Sequence, residues 1–261
     1  MSILFDMKLR ALRRDRAARR GPELFLLERS FEDCLERITL VQRQFRKALL
    51  IGCPDESWPD RLRMLSGEID VADPGRLFAE TMGAPPIVED QWEPSATDYD
   101  LVVAVGTLDT VNDLPRALRT IRQSMQADAF FIGAMSGADT LPELRSAMRA
   151  ADQVTGEATA HVHPRIEAAA LAPLLPAAGF AEPVVDIDRV RVVYGSINRL
   201  VADLRGMGAT NVLAARSRRP LTKAAYRAAA QSFAAAGDGA RTTEIFEILH
   251  FAAWRPSEGQ G

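Results

Sequence analysis

The chain has 261 residues and a mass of 28.6 kDa, with 47% hydrophobic and 26% charged residues, a formal net charge of −3 and a pI near 5.7. That is enough for one large domain burying roughly 70–75% of its unfolded surface, and the acidic balance excludes a dedicated nucleic-acid binder. Two cysteines, Cys34 and Cys53, exclude a disulfide scaffold and a multi-thiolate metal centre and suit a reducing, cytoplasmic compartment, while no run approaches the roughly 18 apolar residues of a spanning helix.

The first 20 residues carry six Arg and one Lys against two Asp. Such a segment suits a solvated basic helix, an arm docking on a partner or peripherally on a membrane surface, or a transit peptide; two acids and one serine speak against the last. Residues 23–41 place apolar side chains at 24, 26, 27, 31, 34, 35, 38 and 41, which predicts an amphipathic helix. The period then changes. Ala48–Ile51 is a continuous apolar run ending at Gly52 and predicts a strand buried on both faces. Glu68–Val71 and Ile87–Glu89 predict the next two strands, and Leu101–Val105 is the clearest strand in the chain. Leu114–Ser124 predicts a helix capped by Asn112-Asp113 with Pro115 in its first turn, and Phe130–Ile132 a further strand.

Beyond that point Thr140–Gly156 predicts a helix with Thr140 and Glu143 spaced as a capping box, and Ile166–Ala178 a helix stopped by Gly179. Val184–Tyr194 alternates as a strand, Ile197–Arg205 and Lys223–Ala236 are helical, and Thr243–Trp254 is a long final strand. Short buried strands alternating with helices predict a parallel α/β sheet with helices on both faces. The expected organisation is an N-terminal helical extension over 1–45 and a sheet domain over 46–261 with a helical insertion at about 196–240.

In such sheets a ligand sits at the carboxyl ends of the strands. Gly52 is one glycine where a nucleotide cofactor needs several, and Pro54 removes a backbone donor, so no dinucleotide fingerprint and no Walker lysine are present. Asp70 is placed to accept from ribose hydroxyls, and Glu89-Asp90 to receive an adenine amino group; a turn-capping Asp and a solvated loop are the plain alternatives. His161 and His163 lack an identifiable third partner for a metal, and no metal is expected.

Asp100–Val103 followed by Val111-Asn112-Asp113-Leu114-Pro115-Arg116-Ala117-Leu118 resembles the corresponding region of class I S-adenosylmethionine methyltransferases. Phe131–Arg145, with its Gly133-Ala134-Met135 and Asp139-Thr140-Leu141 stretches, resembles one branch, the respiratory complex I assembly factor 5 family, related to the biotin-pathway malonyl-carrier-protein methyltransferase. Leu4-Phe5-Asp6, Asp203–Asn211 and the closing strand resemble the same branch.

The resemblance implies a Rossmann-like seven-stranded sheet with a reversed last strand and an S-adenosylmethionine cofactor. It implies cofactor contacts from Gly52, Cys53, Asp70, Glu89, Asp90 and Val105, and a substrate mouth near Asp109, Asn112 and His161. The implied partner is a protein or carrier side chain, such as a complex I subunit; the animal family member hydroxylates an arginine. Two departures stand out. Of the family's Gly-Cys-Gly-Arg-Gly loop only Gly52 and Cys53 survive, and its His-Trp pair is Asp109-Thr110 here. A non-catalytic assembly module that has lost tight cofactor binding is therefore the competing expectation.

Overall fold

The computed structural model describes residues 3–94 and 96–257. Two helices, α1 (Met7–Arg20) and α2 (Phe25–Leu40), precede the sheet. The chain then runs β1 (Phe45–Ile51), α3 (Trp58–Leu62), β2 (Ser66–Ala72), α4 (Arg76–Thr81), β3 (Tyr99–Val105), a 3-10 turn at Leu108–Thr110, α5 (Leu114–Ser124) and β4 (Met125–Ser136). It continues through α6 (Pro142–Thr155), α7 (Ala168–Ala177), β5 (Ala181–Tyr194), α8 (Ile197–Gly206), α9 (Lys223–Ala235) and β6 (Thr242–Trp254).

Among the described residues the strands form one sheet in the order β2-β1-β3-β4-β6-β5. The strands β2, β1, β3 and β4 are parallel, and β6 runs antiparallel between β4 and β5, the reversed last strand that was expected. Alternate residues of β3 serve opposite layers. Val102 and Ala104 join Leu49, Ile51 and Phe131 beneath α5 and α7, whereas Leu101, Val103 and Val105 join Phe31, Cys34 and Trp58 beneath α2 and α3. Burial on both faces is why Ala48–Ile51 of β1 and Leu101–Val105 of β3 are unbroken apolar runs. A third cluster, including Leu200, Phe233, Phe246 and Ile248, fastens α6, α8 and α9 onto the end of β6.

Two expectations are corrected. The Ile87–Glu89 strand does not form, so the sheet has six strands among the described residues and not seven. A single parallel bridge joins Asp73 to Pro86, followed by Ile87 N–H donating to the Asp73 carbonyl at 3.1 Å. The Gly75 N–H that would carry the next rung donates to Asp73 Oδ1 at 2.6 Å, and α4 begins at Arg76, so the ladder stops at that one rung. The capping box at Thr140/Glu143 is also absent. Leu141 is the N-cap of α6, in the left-handed region at φ 63°. Thr140 Oγ1 donates instead to the Glu247 carbonyl. The free N–H groups of Glu143 and Leu144 are accepted by the Glu244 carboxylate, brought from β6 at 3.2 and 2.9 Å.

Candidate functional site

The carboxyl ends of β1, β2 and β3 converge on one crevice, and the residue after each strand shows what fills it. After β1 comes Gly52 at φ +85°, its N–H bound to the Ala72 carbonyl at 2.8 Å. A Cβ there would lie 2.3 Å from the Val105 carbonyl oxygen and 2.6 Å from Thr107 Cγ2. Gly52 is thus required by the close crossing of β1 and β3, and Val105 serves the site as the backbone it packs against. Cys53 is buried. Its N–H donates to Asp73 Oδ2 at 2.9 Å, and burial pushes its thiol pKa up to about 12. A thiol held protonated in this way is no nucleophile at neutral pH.

Asp70 is not at the end of β2. It lies two residues short, with its side chain 51% exposed, accepting from the Tyr99 hydroxyl at 2.8 Å and facing Lys47 Nζ at 3.6 Å. The acid at the strand end is Asp73, fully buried, in the turn Asp73-Pro74-Gly75. Sequence reading missed it because the predicted strand stops at Val71, whereas the ladder runs to Ala72. The Asp-Pro-Gly turn signal was the available clue.

Two buried acids of the crevice, Asp73 and Glu89, are already partnered, and by the same helix. Arg14 donates to both Asp73 oxygens, from Nε at 2.9 Å and Nη2 at 2.5 Å. With Cys53 N–H and Gly75 N–H, the Asp73 carboxylate accepts four hydrogen bonds. Glu89, also fully buried, takes a bidentate pair from Arg10 at 2.7 and 2.8 Å, and Arg10 further donates to the Thr107 carbonyl at 2.6 Å. Arg10 and Arg14 are 4% and 6% exposed. Being four apart on α1, they project from one face, which Ala17 continues. The expected solvated basic helix is therefore only half solvated: Lys8, Arg16, Arg19 and Arg20 are exposed, while two arginines enter the crevice.

Asp90 accepts the N–H groups of Asn112 and Asp113 through Oδ2, at 3.0 and 2.9 Å, leaving Oδ1 buried without a partner. Asp113 caps α5 by accepting from Arg116 N–H. Asn112 is turned to the N-terminus: its Oδ1 accepts from Leu4 and Phe5 N–H, and its Nδ2 donates to the Phe5 carbonyl. A cavity of about 90 Å³ remains beyond the two guanidinium groups, lined by Gly106, Asp109, His163, Arg165, Met207 and Phe246 among others. Here Asp109 pairs with Arg165 at 3.3 Å, both largely buried. His161 is bound to Asp152 and Thr159 at 2.8 and 2.7 Å. His163 is the histidine on this cavity. Its Nε2 accepts from Val212 N–H at 2.9 Å, and burial, with Arg165 beside it, holds its pKa down at about 4, so the ring is neutral. Among the described residues no group of three His, Cys, Asp or Glu side chains is arranged to hold a metal ion, and no helix is long and apolar enough to cross a membrane.

A family model described as "Methyltransferase domain" matches residues 25–183. The zebrafish (Danio rerio) protein "Arginine-hydroxylase NDUFAF5, mitochondrial" is 32% identical over 238 residues, 86% of this chain and 73% of its own length. The mouse protein of the same name is 30% identical over 275 residues, 98% of this chain and 79% of that protein. This chain belongs to the methyltransferase-domain family, in the NDUFAF5 branch. It is also similar to a malonyl-[acyl-carrier protein] O-methyltransferase of Laribacter hongkongensis, at 29% identity over 70% of this chain and 60% of that one. Among solved structures, the YcgJ protein of Bacillus subtilis shares the fold at TM-score 0.56 and 10% identity, over 87% of this chain and all of that one. The N-methyltransferase NodS of Bradyrhizobium japonicum, solved with S-adenosyl-L-homocysteine, does so at 0.50 and 13%, over 97% of this chain.

The residues of this family member can be tested against the fold's usual cofactor. Gly52 and Asp73 stand just past β1 and β2 and Glu89 in the loop after Pro86, and with α1 docked each acid is held by a guanidinium group. A ligand hydroxyl or amine reaches these carboxylates only by displacing Arg14 or Arg10.

Proposed function

We propose that this chain is an S-adenosylmethionine-dependent enzyme of the methyltransferase fold, acting on a side chain of a protein or carrier and working in respiratory complex I assembly. The observation that carries the reading is the convergence of Gly52, Asp73 and the loop acid Glu89 on a single crevice beside the carboxyl ends of β1 and β2. That is the place where the fold binds its ligands. Its similarity to an arginine hydroxylase and a malonyl-carrier-protein methyltransferase supports a macromolecular acceptor. Asp73 takes the ribose role that the sequence assigned to Asp70. The cavity beside Asp109, Arg165 and neutral His163 is where an acceptor side chain would enter.

A second reading, a non-catalytic assembly factor, is favoured by the internal pairing of both acids. Calorimetric titration of the purified chain with S-adenosylmethionine separates them. Binding in the micromolar range that is lost in Asp73→Ala and kept in Asp70→Ala supports the enzyme. No heat at millimolar cofactor leaves the assembly factor.

A further inference from the structure

We propose that α1 is an internal occupant of the cofactor crevice, so that seating of α1 and binding of the adenosyl cofactor exclude one another. The inference rests on the cofactor reading above. Its basis is a coincidence of four charged groups. Arg10 and Arg14 reach two buried carboxylates, Glu89 in the loop after the Pro86 bridge and Asp73 just past β2, that a ribose-and-adenine ligand would address. Asp73 has no free lone pair while Arg14 is in place, because Cys53 and Gly75 take the remaining acceptor sites. A ligand hydroxyl can bond there only where a guanidinium now sits.

The seat is built for the helix. A Cβ on Gly75 would lie 2.8 Å from Arg14 Cβ, and one on Gly208 would lie 3.2 Å from Arg14 Cα. These two glycines let α1 approach on both sides of Arg14. The rest of the attachment combines hydrogen bonds with a small apolar cluster of Phe5, Met7, Leu9, Val212 and Leu213. Asn112 clamps Leu4 and Phe5, Phe5 bridges Leu213, and Asp15 accepts from Leu77 N–H at 3.0 Å. The link to α2 can bend. Gly21 stands at φ +84° with nothing within 4 Å of its absent side chain, and residues 21–24 are not helical. Helix α1 can therefore leave as a unit while α2 stays packed through Phe31, Cys34 and Ile38.

Thermodynamically, the cofactor's apparent affinity is its affinity for the open crevice reduced by the fraction of molecules in which α1 is out. Anything that loosens α1 without touching the four charges tightens binding. Asn112→Ala and Asp15→Ala each remove seat hydrogen bonds and leave Arg10, Arg14, Asp73 and Glu89 intact.

The test uses the full chain and S-adenosylhomocysteine as the probe. Amide hydrogen exchange over residues 7–20 is expected to speed up at saturating ligand, and each variant is expected to bind at least about threefold tighter than wild type. Binding with unchanged or increased protection of α1, or with no gain in either variant, overturns the exclusion and leaves the cofactor reading standing. No binding by wild type or by either variant overturns the cofactor reading, and the competition with it.

Discussion

Replacing Arg10 with Met should be among the most damaging single changes outside the apolar core. The substitution keeps a long apolar side chain but leaves Glu89, with no solvent contact, stripped of charge-assisted hydrogen bonds at 2.7 and 2.8 Å. Each such bond is worth about 1.5–3 kcal/mol, and breaking a buried ion pair from one side costs about 3–5 kcal/mol. The Thr107 carbonyl also loses its donor. Against a total stability on the order of 5–15 kcal/mol this is a large share, and at about 2–4 °C per kcal/mol it lowers Tm by roughly 6–20 °C. Arg10→Met combined with Glu89→Leu removes both charges and should recover most of the loss, since an apolar pair often matches a buried ion pair. Urea denaturation followed by circular dichroism on wild type, both singles and the double gives the coupling energy directly. If Arg10→Met loses less than about 1 kcal/mol, or if the double variant is no better than the worse single, the pair is not the buried, closed contact described here.

Gly52→Ala should be strongly destabilising, because it forces a side chain into φ +85° and onto a backbone carbonyl at 2.3 Å; left-handed backbone alone costs about 1–2 kcal/mol, and a Tm within a degree or two of wild type would refute the packing account. Stability should also fall on acidification through His163. Its folded pKa, about 4, lies below the unfolded value near ~6.5, so the contribution is complete above about pH 6.5 and is lost as pH falls toward 4, on the order of 3 kcal/mol in all. His163→Gln should flatten that part of the Tm–pH curve, and an unchanged slope would sink the assignment. Neither thiol should react with a disulfide reagent at about pH 8 in the native state, since burial raises both pKa values and both side chains are fully enclosed; one fast-reacting equivalent would contradict this. Glu244→Gln removes a carboxylate that accepts from Glu143, Leu144 and Ile245 N–H and should cost about 1 kcal/mol by thermal melting, the scale of a lost helix cap.

Much of the frame was legible in the residues because it depends on local periodicity. The helix over Leu114–Ser124 and the strands around Leu101–Val105 and Thr243–Trp254 lie where apolar spacing and caps put them. Boundaries were less legible: β4 runs Met125–Ser136 where Phe130–Ile132 was expected, and ending β2 at Val71 pointed to Asp70, which hydrogen bonds to Tyr99 on β3, and past the buried acid Asp73. The Ile87–Glu89 strand fails for a reason on its partner side, where Gly75 N–H turns to Asp73 Oδ1 and α4 begins, contacts that an apolar pair beside an acid does not reveal.

What the sequence alone determined is the alternation of strand and helix, the reversed final strand and the kinship, all carried by patterns within a few residues of one another or by motifs in fixed order. What only the tertiary structure decided is how the crevice is filled. Arg10 meets Glu89 across 79 residues, Arg14 meets Asp73 across 59, and Glu244 caps a helix about 100 residues earlier. A basic helix looks solvated in any linear reading, because water is the default partner of a guanidinium group. Two of its arginines are buried here only because the fold delivers a carboxylate to each, and ion pairs of that kind leave no periodic trace in the chain.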